Sequence, residues 1–88
     1  MQIRNRYTGD LILEIETLVD ASLAYVNLTN AYLPYADFKG ANLYGANLAN
    51  AYLAYANFHG ADLTLADLTN AYINFINFDG ANLTGTIR

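Results

Sequence analysis

Lys39, His59 and Asp79 stand at intervals of twenty residues, an amine, an imidazole and a carboxylate in arithmetic series. If the fold brings them together, the only histidine of the chain lies between a cation and an anion, which is the makings of a proton-transfer group. The same spacing also describes a row of solvated charges on one corner of a repeat, and that is the arrangement expected here. Asp37, Asp62, Asp67 and Asp79 occupy repeat places in which Asn42, Asn57 and Asn77 serve equally well, so they read as solvent-facing polar groups rather than as paired acid and base. Ser22 has no histidine near it, and no glycine-rich phosphate loop follows a strand and opens a helix. Thr29, Ala49 and Thr69 interrupt the regular threonine rows that an ice-binding face requires. With no cysteine there is no disulfide, thiolate nucleophile or thiolate metal site. The expectation is no enzyme, no cofactor and no metal.

A second set of residues is better placed. Tyr32, Tyr52 and Tyr72 are twenty apart, and so are Tyr35, Tyr55 and Phe75. Both series come from a repeat that organises most of the chain. Ala31-Tyr32-Leu33, Ala51-Tyr52-Leu53 and Ala71-Tyr72-Ile73 open equivalent rows, and each row reaches a Phe and then a Gly two residues later: Phe38 and Gly40, Phe58 and Gly60, Phe78 and Gly80. Inside the rows a beat of five recurs. Residues 21–85 divide without insertion into thirteen pentapeptides with a large apolar centre, from Leu23 and Leu28 to Phe78 and Leu83. Two before the centre stands Ala, except at Val26 and Ile76, and the residue between is polar or Tyr, which is the in-out-in alternation of a strand. Gly, Asn and Pro34 gather at the remaining places, so a corner follows each short strand.

A helix does not suit this pattern, because a five-residue period drifts by about 140° per repeat and the apolar centres would spiral around it. If each pentapeptide is one side and one corner, the twenty-residue superperiod closes a four-sided coil. Coils then stack at about 4.8 Å, bulky centres fill the axis, and Phe38, Phe58 and Phe78 form an internal ladder. Residues 1–15 lack the beat. Ile3-Arg4-Asn5-Arg6-Tyr7 alternates, Thr8-Gly9-Asp10 offers a turn and Leu11-Ile12-Leu13-Glu14-Ile15 is β-prone, so this segment is read as a hairpin capping the first coil. Glu16 to Asp20 reads as a degenerate repeat centred on Leu18. The domain division is therefore a cap at 1–15 and an all-β solenoid at 16–88, of about 3.5 coils.

Thirteen uninterrupted pentapeptides built on the pattern Ala-Asn/Asp-Leu/Phe and its variants resemble the pentapeptide repeat family over residues 21–85. The resemblance implies a right-handed quadrilateral β-helix; the handedness comes from the family alone. It also implies a second class of function, since the best-known members inhibit DNA gyrase or other type II topoisomerases by imitating duplex DNA. Here the charge is thin. DNA carries one charge per ~1.7 Å, so a coil stack about 18 Å tall needs about ten, whereas residues 21–85 offer four aspartates against Lys39, a net of −3.

Hydrophobic residues make up 55% of the 88-residue chain, yet polar residues return too often for an apolar run of the ~18 residues a membrane helix needs. The first residues lack a secretory signal, so a cytoplasmic protein is expected. A net charge of −4 disfavours nucleic acid and anionic membranes as direct partners and leaves protein as the expected one. The leading reading is a non-enzymatic interaction or scaffold module. Tyr32, Tyr35, Tyr52, Tyr55, Tyr72 and Phe75 would share one outward face as its partner-binding residues, because Tyr-rich patches are typical of protein interfaces. A homodimer is expected as well, either end to end through the last coil, whose Leu68, Ile73, Phe78 and Leu83 would lie uncovered, or side by side through the aromatic face.

Overall fold

The computed structural model describes residues 1–88. Every fifth residue from Asp20 to Gly85 has a left-handed backbone, with φ between 56° and 71°, and nine of these corner residues are not glycine. A left-handed residue with a Cβ costs roughly 1 kcal/mol, so the corners are held by something stronger than local preference. The turn itself supplies one bond. The N–H after the corner donates to the carbonyl of the preceding apolar centre, as from Ala41 to Phe38 and from Ala66 to Leu63, both at 2.9 Å. This closes a four-residue turn whose third residue carries the positive φ that type II turns require.

The rest comes from the neighbouring coil. Leu43 N–H donates to Asp62 O at 2.7 Å, Gly45 N–H to Thr64 O at 2.8 Å, and Asp62 N–H to Ala41 O at 2.9 Å, and this three-bond pattern recurs from one pentapeptide to the next. Parallel bridges join residues twenty apart, from Ser22 with Asn42 to Asp67 with Ile87. Each bridge is one residue long, because the next corner turns the chain away. The result is an all-β stack of β-helix type.

Inside, the apolar centres from Leu18 to Leu68 are buried, and no polar residue is buried with them. Leu18 behaves as a true repeat centre: Ala21 N–H reaches its carbonyl, and Thr17 Oγ1 accepts from Val19 N–H at 3.1 Å. Phe38 and Phe58 stack at 4.7 Å and 4°, and Phe58 and Phe78 at 5.7 Å and 27°. Ala two before each centre is buried through the middle coils, where the converging backbone leaves room for a methyl group and little more. Ile73, Phe78 and Leu83 are only half-buried, having no coil beneath them. Leu68 departs from the sequence expectation. It is buried, since the chain runs on below it and Leu68 N–H donates to Ile87 O at 2.6 Å.

At the other end, β1 (Gln2–Asn5) and β2 (Leu11–Glu14) form an antiparallel hairpin. The Asn5 side chain folds the connection by accepting from the N–H groups of Tyr7 and Thr8 at 2.8 and 3.2 Å. The free edge of β1 pairs antiparallel with β3 (Ala31–Tyr32), setting Arg4 against Tyr32. Ile3 points inward and is fully buried. The hairpin thus extends one side of the stack, the side that bears Tyr32, Tyr52 and Tyr72.

Phe58→Ala is expected to cost about 3 to 5 kcal/mol, the range for removing a buried aromatic. Asn57→Ala removes two exposed hydrogen bonds, from His59 N–H to Asn57 Oδ1 and from Asn57 Nδ2 to Asp37 Oδ1, and is expected to cost about 1 kcal/mol. Urea unfolding of the two variants checks the difference; equal midpoints would overturn the assignment of inside and outside.

Candidate functional site

The residue before each apolar centre points outward, and in three of every four pentapeptides it has a defined task. Its Oδ1 accepts a hydrogen bond from the backbone N–H two residues on. Asp37 holds Lys39 at 3.1 Å, Asn42 holds Tyr44 at 3.0 Å, Asn47 holds Ala49 at 3.0 Å, and Asp67 holds Thr69 at 2.8 Å. Asp37, Asp62 and Asp67 are therefore turn acceptors and not merely solvated polar groups, whereas Asp79 stands one place after its centre and donates its own N–H to Asn77 Oδ1 at 2.8 Å; both are corrections to the sequence reading. Asn serves as well because the amide oxygen accepts in the same place. The signal was present in the sequence, as a short acceptor side chain two residues before each turn N–H.

Every fourth pentapeptide has Tyr in that place and gives up this bond. Tyr32 and Tyr52 stack at 5.4 Å and 27°, Tyr52 and Tyr72 at 5.0 Å and 7°. At the adjoining corner Tyr35 and Tyr55 stack at 4.9 Å and 6°, Tyr55 and Phe75 at 4.9 Å and 11°. The six expected residues thus form two columns on one side. The rings touch one another face to face and leave their edges in solvent: Tyr35 and Phe75 are each 73% exposed. Ala54 lies buried within this side. No charged residue occurs at 31–35, 51–55 or 71–75.

Arg6 borders the first column, a role the sequence alone did not reveal. Its Nη1 donates to Asn50 O at 3.0 Å, and its guanidinium lies 4.9 Å from the Tyr7 ring centre and 5.2 Å from that of Tyr52. The hairpin is thereby fastened to the second coil as well as the first. A third aromatic pair lies on a different side. Tyr25 meets Tyr44 edge to face at 5.7 Å and leans over Gly45, where a Cβ would come within 2.7 Å of its ring.

Lys39, His59 and Asp79 are exposed, on the side that also bears Asp37, Asn57 and Asn77. The surface has no pocket beside them, and no group of His, Asp and Glu is arranged to hold a metal. Asp62 and Asp67 each take a threonine hydroxyl as well as a backbone N–H. A hydrogen bond from Thr64 Oγ1 at 2.6 Å, with the Thr64 N–H adding to it, holds the Asp62 carboxyl below the usual aspartate range. Thr69 does the same for Asp67.

Short sides, left-handed corners every fifth residue and bonds between stacked coils define a repeat solenoid of β-helix type. The chain belongs to the pentapeptide repeat family, whose model matches residues 17–48 and 46–85 in eight copies. No curated protein matches it. Among solved structures it is similar to a pentapeptide repeat protein, Rfr23, from the cyanobacterium Cyanothece 51142. The identity is 41% and the TM-score 0.50, over 69% of this chain and 38% of that one. The chain thus spans well under half the length of that relative.

Two expectations follow from the corners and their acceptors. Gly60 has open space where a Cβ would lie and shares its backbone with Asn50 and Asn70, so Gly60→Asn should leave stability within about 0.5 kcal/mol. Gly45→Asn displaces Tyr25 and should cost about 1 kcal/mol through the lost Tyr25–Tyr44 contact; thermal unfolding compares the two. For Asp62 and Asp67 the carboxyl pKa is lower in the folded chain than in the unfolded one. They therefore add stability above the unfolded value of about 3.9, and this is lost as pH falls through the folded value. Asp62→Asn/Asp67→Asn keeps the turn acceptors but should lose less stability than the wild type on acidification below about pH 4. Urea melts at neutral and acid pH measure this, and an unchanged acid loss would remove these carboxylates as its source.

Proposed function

We propose that the protein is a non-enzymatic interaction and scaffold module of the cytoplasm, that its ligand is another protein molecule, and that the aromatic side is where that ligand binds. The single observation that carries this reading is the pair of solvent-facing aromatic columns on a side without charge. Tyr and Phe rings supply large contact areas at low entropic cost, and a soluble monomer rarely leaves such a patch open. The stack does not need the columns for its backbone, because the other three sides build the same coil with Asn and Asp. We also infer that the coil is the right-handed quadrilateral one. Corners every five residues and pairing at an offset of twenty support the four sides.

A topoisomerase-directed DNA mimic fits less well. Such a mimic needs carboxylates in rows along the stack, whereas Asp62 and Asp67 stand on two different sides and Asp37 and Asp79 on a third.

Immobilised protein tests the reading by capture from an extract of the source cells that also contains untagged copies of the chain. A protein, of either kind, should be retained by the wild type and by His59→Ser, and lost with Tyr35→Ser/Tyr55→Ser. Circular dichroism checks that both variants keep the fold. Equal retention by all three would sink the aromatic side as the recognition surface.

A further inference from the structure

We propose that the aromatic side is covered by a second copy of this chain, in an antiparallel two-fold dimer centred near Tyr52. The inference rests on reading that side as a protein-contact surface and names the protein that fits it.

Three features point to self-recognition. The first is period. Stacked rings offer a partner only their edges, as ridges separated by furrows that repeat every 4.9 to 5.4 Å. A second stack of the same coils has ridges of the same rise and can seat them along the whole column, which a helix or an irregular loop cannot do. The second is charge. Each copy carries a net −4, but residues 31–35, 51–55 and 71–75 carry no charge, and the one cation at their border, Arg6, is held by Asn50 O and the Tyr52 ring, so two copies meet there away from their carboxylates. The third is area. Tyr32, Tyr35, Tyr55, Tyr72 and Phe75 are 41 to 73% exposed, and at roughly 200 Å² per aromatic side chain they present about 600 Å². That approaches the roughly 800 Å² that each partner contributes to a stable interface, before Tyr52, Pro34 and Asn74 are added.

The hairpin selects the direction. Arg4 pairs with Tyr32 and Gln2 pairs with Glu14, so these polar side chains stand above the first column on the same outward face. Parallel copies would press the two hairpin faces together and bury each Arg4 and Glu14 near its own counterpart. Antiparallel copies slide each hairpin past the partner's last coil and leave those charges in water. A two-fold axis then sets the Tyr32 column against its own reversed copy, Tyr52 facing Tyr52 near the centre.

Sedimentation and light scattering should report a dimer for the wild type at tens of micromolar. Tyr35→Ser/Tyr55→Ser should raise its dissociation constant more than about 30-fold, as removal of central aromatic anchors does. Tyr25→Ser, which removes an equally exposed ring on another side, should leave it unchanged. Because the chain has no cysteine, single thiols report the arrangement. A short bifunctional thiol reagent should join Tyr52→Cys chains to one another and should not join Gln2→Cys chains. A dimer that survives Tyr35→Ser/Tyr55→Ser overturns the proposal in favour of contact elsewhere, such as end to end. Cross-linked Gln2→Cys overturns the antiparallel arrangement. A monomeric wild type overturns self-recognition, while retention of a different protein in the capture experiment would still support the broader reading of this side.

Discussion

Everything in this molecule depends on the hydrogen bonds between coils. A pentapeptide side is too short to be stable as a strand, and its corner residue sits in a region of backbone space that costs an L residue roughly 1 kcal/mol. Neither would persist alone. Wherever a neighbouring coil lies beside them, the corner N–H, the centre N–H and the N–H before the centre each find a carbonyl about twenty residues away, and those bonds hold the strained corner in place. That is why Tyr25, Tyr35 and Leu65, poor residues for positive φ, adopt it as regularly as Gly40 or Gly45. The apolar ladder inside follows, because once coils are held in register, equal residues fall beneath one another and Phe38, Phe58 and Phe78 stack.

The outward residue before each centre is where the sides diverge in function. In three of every four pentapeptides a short acceptor binds the turn N–H, and the surface that results is polar. In the remaining one Tyr replaces the acceptor; the turn loses a bond and gains ring-on-ring contact with the coils above and below. The exchange is possible because stacking at about 5 Å contributes roughly as much as the bond given up. Its consequence is a side whose outer edge is aromatic and uncharged, which the stack itself does not require. The faces of the rings thus hold the coils together while their edges stay in solvent.

Charge is distributed to match. Arg4 and Glu14 stand on the hairpin, Asp62 and Asp67 in threonine-bonded turns, and Lys39, His59 and Asp79 along one exposed row. None interrupts the aromatic columns, and Arg6 lies at their border with its guanidinium bonded to Asn50 and seated on Tyr52. The row containing His59 illustrates how a regular repeat can line up residues that suggest catalysis and yet leave them in open solvent, with no cleft to exclude water.

Much of this was legible in the chain itself. The beat of five and the superperiod of twenty are properties of residue order, so the buried centres, the small inward Ala residues, the Phe ladder and the shared side of the six aromatics could be read from spacing alone. The hairpin at residues 1–15 was legible too, from alternation on either side of Thr8-Gly9-Asp10. What tertiary structure decided lies where two distant segments meet. No local pattern says that β1 turns its second edge to Ala31–Tyr32, that Arg6 reaches Asn50, or that Ile87 covers Leu68. Nor does residue order reveal that Tyr25 occupies the space that Gly45 leaves open. A repeat dictates its own neighbours because each coil templates the next, whereas the irregular ends are placed by contacts with no period to announce them.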